Sequence, residues 1–504
     1  MLYDTINQLV TAQSELYKDK TFIVEPNKNR KISFIELKKT IDKIQLFLNN
    51  TGANYQDRVA LFMENGIGYS TAFLATAGNG QIAIPVNLAY KAKELKYVID
   101  DADVRFFLTT KKAYEEHKNI IDEVFSYELY SLNINELILL KKIGDVGGSK
   151  TDKELAMILY TSGTTGNPKG VMLTHKNLLT EAANIKEAHQ FSDKDIALCV
   201  LPLFHINGLV ITLITPLLSG MKLIMPPKFS ASNFWKWVSD YKVTWISAVP
   251  TIYSILLSNT FNSKLDYSSL RFARSASAPL PKSVLEEFEK LYNIPIIESF
   301  GISEGASQIT SNPLPPRKTK LGSVGIAFGN RVEIADENGN ILAPNNVGEI
   351  IIKGENIAVG YWNKLNETKS AFKDGWFHTG DLGYLDDEGY LYINGRKKEL
   401  INRAGEKFSP REIDEVLYQI PEVELAASVG VPDPIYNEEV IAYIKLKDNS
   451  HIDAEKIKNY CKERLSAFKI PKEIYFTDDF PKGPSGKIQR LKFVDRYLKL
   501  KGSI

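Results

Sequence analysis

From Ser33 to about Ile297, short apolar runs rich in β-formers alternate with stretches of helical period. Residues 58–63 (RVALFM), 82–86 (IAIPV), 105–108 (RFFL), 196–201 (IALCVL), 221–225 (MKLIM) and 243–246 (VTWI) read as strands, and the stretches between them, 176–189 included, as helices. That alternation predicts an α/β architecture with largely parallel sheets. The pattern changes at Arg331. DENGN at 336–340 and DDEG at 386–389 lie between the β-rich runs RVEIA, EIIIKG and YLYING, which predicts hairpins in an antiparallel subdomain. In the last hundred or so residues, helix-like 410–417 and 454–465 accompany strand-like 426–431 and 440–445, the pattern of a second, smaller α+β domain.

Composition narrows the function. With 504 residues the chain exceeds the ~250–300 at which a single core stops growing, so more than one core is expected. Lys plus Arg (62) balance Asp plus Glu (61), so no global field draws the protein to nucleic acid or to an anionic membrane, and a small-molecule substrate fits better. Cys199 and Cys461 lie outside any metal-ligand spacing and read as buried small hydrophobes rather than a disulfide or zinc framework. The first twenty residues lack a basic start, an apolar core and a small-residue cleavage site, and no run approaches membrane-spanning length. A cytoplasmic protein is expected, with 142–152 its nearest approach to a flexible loop.

The strongest chemical signal is YTSGTTGNPKG at 160–170. Glycines admit backbone N–H groups close to phosphate oxygens, the hydroxyls of Thr161, Ser162, Thr164 and Thr165 donate, and Lys169 adds charge. ATP is the expected ligand. The common phosphate loop GxxxxGK[ST] differs, because here Pro168 precedes Lys169 and Gly170 follows it. ESFGISE at 298–304 closes a predicted strand, where ligands of open α/β sheets collect. Phe300 is placed to stack on a purine and Glu304 to hold Mg2+; a plain strand-to-helix turn capped by Ser303 reads equally well. WFHTGD offers Asp381 to ribose hydroxyls, or is a solvated turn. Arg396, in GRKKELINRAGEKF, presents a planar donor fork. Lys487 sits on the Gly/Ser/Pro-rich loop PKGPSGKIQR, where a lone Lys is otherwise merely exposed.

In order, spacing and wording these five elements resemble the adenylate-forming superfamily of acyl-CoA synthetases, peptide-synthetase adenylation domains and luciferase, over essentially the whole chain. The resemblance implies an N-terminal adenylation domain over 1–397, a mobile C-terminal domain over 398–504 and a hinge at Lys398. It implies that Thr161, Ser162, Gly163, Thr164, Thr165, Gly166 and Lys169 hold the triphosphate, with Thr161 and Glu304 at Mg2+. It makes Ser277, Ala278, Pro279, Glu298, Ser299, Phe300, Gly301 and Ser303 ATP/AMP-binding residues, with Ser277, Ala278, Pro279 and Phe300 framing the adenine, and it puts Asp381 and Arg396 at the ribose. Lys487, Lys169 and His205 are its catalytic candidates, and Gly405 lies against the pantetheine arm of coenzyme A.

LPLFHINGL at 201–209 carries His205 on the segment that, in acyl- and aryl-CoA synthetases, lies beside the carboxylate pocket; a buried structural His is the alternative. Amino-acid-activating members usually place an Asp there, and none is present. The acceptor is then free CoA or a separate carrier protein. LPLFHINGL, FSASNFW, TWISAVPTIY, SNPLP and WFHTGDLGYLDDEGYL are most similar in wording to the oxalate-CoA ligase branch. That branch has His where Asn207 and Ser307 stand here, while Ser277 matches its hydroxyl. Two neutral residues compensate a second substrate carboxylate weakly, so a monocarboxylate with a modest tail is expected to react faster than oxalate.

Overall fold

The structure, a computed structural model, describes residues 3–132, 134–144, 151, 153–161, 168–258, 265–481 and 488–502. Parts of three expected features, the loop at 142–152, the phosphate loop at 162–167 and the segment 482–487 with Lys487, lie outside the described residues. Two compact units emerge: Met1–Arg331 with Ile352–Phe377, and Val332–Ile351 with His378–Ile504. The chain turns at Lys397–Glu399 within the second of these.

The first unit is built on two large sheets. A parallel run orders Ile296–Ile302, Phe272–Ser275, Trp245–Ala248, Ile196–Cys199, Lys222–Ile224 and Thr21–Glu25, flanked by antiparallel Ser307–Ser311 and Arg30–Ser33. The other sheet runs Val104–Thr110, Arg58–Phe62, Ile82–Pro85 and Leu155–Thr161 in parallel, closed by antiparallel Lys169–Thr174. Strands buried on both faces explain the unbroken apolar runs of the sequence. Phe234, Trp235, Tyr253, Phe288 and Tyr292, from the helices Ala231–Tyr241, Pro250–Ser258 and Lys282–Tyr292, fill one face of the first sheet. Helix His175–Ala188 begins in a capping box: Thr174 Oγ1 accepts from Asn177 N at 3.1 Å, and Asn177 Oδ1 accepts from Thr174 N at 2.9 Å.

Both predicted hairpins of the second unit form. Asp336 and Asn340 close one turn, Asp386 and Tyr390 the other, each through a backbone hydrogen bond of 2.9–3.0 Å. Its last sheet pairs Val423–Asp433 with Asn437–Leu446 in antiparallel register, next to Ile401–Arg403 and, in parallel, Glu473–Phe476. Helices Pro410–Leu417 and Ala454–Lys462 pack on this sheet through Ile413, Leu417, Ile457 and Cys461. Both cysteines are free and buried. Among the described residues no helix is long and apolar enough to cross a membrane.

Two elements depart from the sequence reading. After Ile302 the chain makes a single 3-10 turn, Ser303–Gly305, and returns as Ser307–Ser311; no helix follows, and Ser303 caps nothing. Gly301 permits the tight return, since a Cβ there would lie 1.8 Å from the Ser307 carbonyl oxygen. The segment after His205 is a buried π-helix, Asn207–Ile214, a rare form that is frequent at functional sites.

Candidate active site

Three of the predicted segments gather at the carboxyl edge of the first unit's parallel sheet, where open α/β sheets receive ligands. Ser275 pairs with Ala248 and with Glu298, so the turn Ser277, Ala278 and Pro279 leaves the sheet beside the strand carrying Glu298, Ser299, Phe300 and Gly301. Ser277 has φ 75°, Ala306 55° and Ser307 136°, left-handed values that non-glycine residues keep only where the surroundings impose them. His205 precedes the π-helix, half-buried, its ring 4.3 Å from that of Phe204.

At the other sheet, Thr161 pairs with Lys169 across the two strands that bracket the phosphate loop. Gly170 belongs to packing rather than to phosphate: a Cβ there would lie 2.7 Å from Ile158 and 3.2 Å from Trp362. Backbone hydrogen bonds from Met172 N to Gly360 O (2.9 Å) and from Trp362 N to Gly170 O (2.7 Å) bind the segment around Tyr361 to this strand. Tyr361 thereby joins two predicted residues. The Lys169 ammonium lies 4.9 Å from its ring centroid, and its hydroxyl donates to Glu304 Oε1 at 2.7 Å. Burial, then the Glu304 charge, push the phenol well above its ordinary range, so it stays a donor.

Below the carboxyl edge lies a polar network that the sequence reading missed. Arg274, 1% exposed, donates to Asn207 Oδ1 (3.2 Å), Ser247 Oγ (3.1 Å) and Gln308 Oε1 (3.2 Å). Gln308 Oε1 also meets His189 Nε2 at 3.1 Å, and the Gln308 backbone N–H donates to Glu181 Oε1 at 2.8 Å. Asn356 donates to Glu181 Oε2 at 3.0 Å. Burial raises the Glu181 carboxyl well above its usual range; burial, with Arg274 adding to it, lowers His189 to about 3. Burial brings Arg274 down to about 10, still charged at neutral pH, with Glu181 opposing the shift. Asn207 completes the network outward, its Nδ2 donating to Ser277 Oγ at 3.1 Å. Two signals announced this cluster: an Arg in the short apolar strand FARS, and a Glu in the middle of helix His175–Ala188.

In the second unit, Asp381 and Arg396 stand opposite each other in the ladder, with Arg396 Nε 2.8 Å from Asp381 Oδ1. Gly405 is at the tip of the hairpin joining Ile401–Arg403 to Glu406–Phe408, with φ 93° and open space around it. Lys398 lies on the turn Lys397–Glu399. Arg490, three residues after Lys487, is fastened to Asp414 Oδ2 (2.7 Å) and to Glu399 Oε2 (3.3 Å).

Among the described residues no three His, Cys, Asp or Glu side chains cluster as metal ligands. A single carboxylate, Glu304, nonetheless fits Mg2+, which binds through one or two carboxylates while phosphates and water complete its shell.

Comparison with known proteins identifies the family. The AMP-binding enzyme profile matches residues 10–362, and that of the AMP-binding enzyme C-terminal domain matches 412–487. The sulfoacetate–CoA ligase of Cupriavidus necator is 36% identical over 98% of both chains, and the oxalate–CoA ligase of Arabidopsis thaliana 38% identical over 90% of both. The ATP-bound MatB of Rhodopseudomonas palustris superposes with a TM-score of 0.88 at 29% identity, covering 98% of this chain and 99% of that one. The profile over residues 10–362 and these relatives, each covering 90% or more of the chain, place it: the chain belongs to the AMP-binding enzyme family.

Proposed function

We infer that this enzyme is an AMP-forming acyl-CoA ligase acting on a small carboxylic acid. The observation that carries the reading is the convergence of Lys169 and Glu304 on Tyr361. A cation and a carboxylate held on one buried phenol make a polyphosphate corner: the ammonium meets phosphate oxygens, and the carboxylate takes the metal. The acid is already ionised at neutral pH, so its attack on the α-phosphorus needs no general base. It needs positive charge where two anions meet, which Lys169 and Lys487 supply; Glu304 would hold Mg2+, which would supply further positive charge there. One carboxylate oxygen bonds to phosphorus, the bond to the β-phosphate oxygen breaks, and acyl-AMP and pyrophosphate form. The CoA thiol then attacks the acyl carbon, expelling AMP and giving the thioester.

In this reading Thr161 and the loop through Gly166 cradle the phosphates. Ser277, Ala278, Pro279 and Phe300 frame the adenine, while Asp381 and Arg396 hold the ribose. His205 borders the acid. Gly405 lines the thiol channel, and a hinge at Lys398 exchanges Lys487 for that channel between the half-reactions.

The test is a screen of carboxylic acids for ATP-dependent release of pyrophosphate and AMP, with CoA and a carrier-protein thiol compared as acceptors. Release with at least one acid and consumption of CoA are expected; no release with any acid would overturn the reading. Lys487→Ala should lose acyl-AMP formation by several orders of magnitude yet still convert supplied acyl-AMP to thioester. Gly405→Leu should do the reverse.

A further inference from the structure

The floor beneath Ser277 holds a charge to which the ligase reading gives no task. Arg274 is buried, its hydrogen bonds go to neutral acceptors, and the buried carboxylate of Glu181 reaches it only through Gln308, without a direct ion pair, so its charge is offset only in part. A guanidinium kept from water without an ion-pair partner carries a desolvation penalty that an approaching anion offsets.

Three groups lead from that charge to the surface, and each fixes the direction of the next. Arg274 can only donate, so Asn207 must turn its amide oxygen inward, toward the guanidinium. The Asn207 Nδ2 is thereby directed to Ser277 Oγ. With a lone pair of that oxygen engaged, the Ser277 hydroxyl proton is free for an acceptor on the open side, and Ser277 is exposed at the carboxyl edge. Donors aligned in one direction polarise one another in a low-dielectric interior, so the exposed hydroxyl is a stronger donor than an isolated serine. The left-handed backbone of Ser277 holds it at the end of this series.

We propose that Arg274, acting through Asn207 and Ser277, selects a short acid bearing a second anionic group, a carboxylate or a sulfonate, at its far end. Arg274 is a positioning residue: it does not touch the acid but orients and polarises the groups that do. The inference rests on the ligase reading above and deepens it. It reverses the expectation of a monocarboxylate, which weighed Asn207 and Ser307 as neutral ends and left out the cation behind Asn207.

The experiment measures kcat/KM for acid-dependent pyrophosphate release with acetate and propionate against oxalate, malonate and sulfoacetate, at fixed ATP and Mg2+. In the wild-type enzyme the best dianion should exceed its length-matched monoanion by about tenfold or more, a factor within reach of one charge-assisted contact. Arg274→Gln and Ser277→Ala should each collapse that ratio, mainly through KM for the dianion, and Arg274→Lys should keep part of it. Ser277 is at the surface, so its variant tests the idea even if Arg274→Gln does not fold. A wild-type preference for monoanions, or a loss in Ser277→Ala that leaves the ratio intact, would overturn the proposal while the ligase reading stands. Absence of release with every acid would overturn both.

Discussion

Two charged regions of the first unit, the proposed phosphate corner and the proposed acid floor, are built in opposite ways. At the phosphate corner the charges lie at the edge of the fold, and one aromatic ring connects Lys169 with Glu304. At the acid floor the charge is inside, and Arg274, Gln308, Glu181, Asn356 and His189 hold one another among buried neighbours. A triphosphate is the same in every turnover, so a few direct contacts suffice. An acid that must be told from its analogues is better met by donors whose directions are set beforehand, because a preorganised dipole loses nothing to reorientation on binding.

The largest test of that contrast is Lys169→Met or Glu304→Gln. Either should lower the rate of pyrophosphate release by about 10²–10³-fold, the cost typical of removing one stabilising group from a charged transition state. The loss should be equal for every acid; a loss that varied with the acid would merge the two regions into one.

His189 probes the floor through stability. Its folded-state value of about 3 lies below the ordinary 6.5, so the unfolded chain takes up a proton first as pH falls. Stability is therefore complete above about 6.5 and is lost as pH drops toward 3, by roughly 2 kcal/mol at pH 5 for this one group. His189→Gln should remove that share, seen as a smaller difference in urea-unfolding free energy between pH 7 and pH 5. An unchanged difference would mean that the floor is wetter than its packing indicates. Glu181 gives the opposite slope. Its value is raised, so its contribution is fullest below about 4.5 and declines as pH rises, and Glu181→Gln should flatten the alkaline side of the stability profile.

The smallest expected effect is one of specificity. Asn207→His with Ser307→His places imidazoles where the oxalate-type wording has them and should raise the oxalate-to-malonate ratio of kcat/KM by about tenfold, near 1.4 kcal/mol. No change in that ratio would detach these two positions from the acid.

The same contrast accounts for what was legible in the sequence. The parallel strands, both hairpins and helix Pro410–Leu417 follow from local periodicity and turn residues, and they stand where the pattern put them. Lys169, Glu304, Asp381 and Arg396 were legible because each sits in a short motif that carries its own chemistry. Tyr361 was not, since its partners lie 192 and 57 positions away and only the fold brings them together. Arg274 was hidden for the same reason: its acceptors come from residues 207, 247 and 308. The π-helix after His205 was missed because a fully apolar run has no period that separates one buried helix type from another.

Gly301 touches the main chain of Ser307 and leaves its side chain aside, and this has an evolutionary consequence. The contact that closes the hairpin is indifferent to which side chain follows Cα at 307, while any side chain at 301 would force the two backbones apart. A newcomer at 307 must still tolerate a φ of 136° and fit a site that is 4% exposed, so the set of side chains the position accepts is narrow. The fold thus sets a backbone limit at 301 and a space limit at 307, so exchange at either position costs stability.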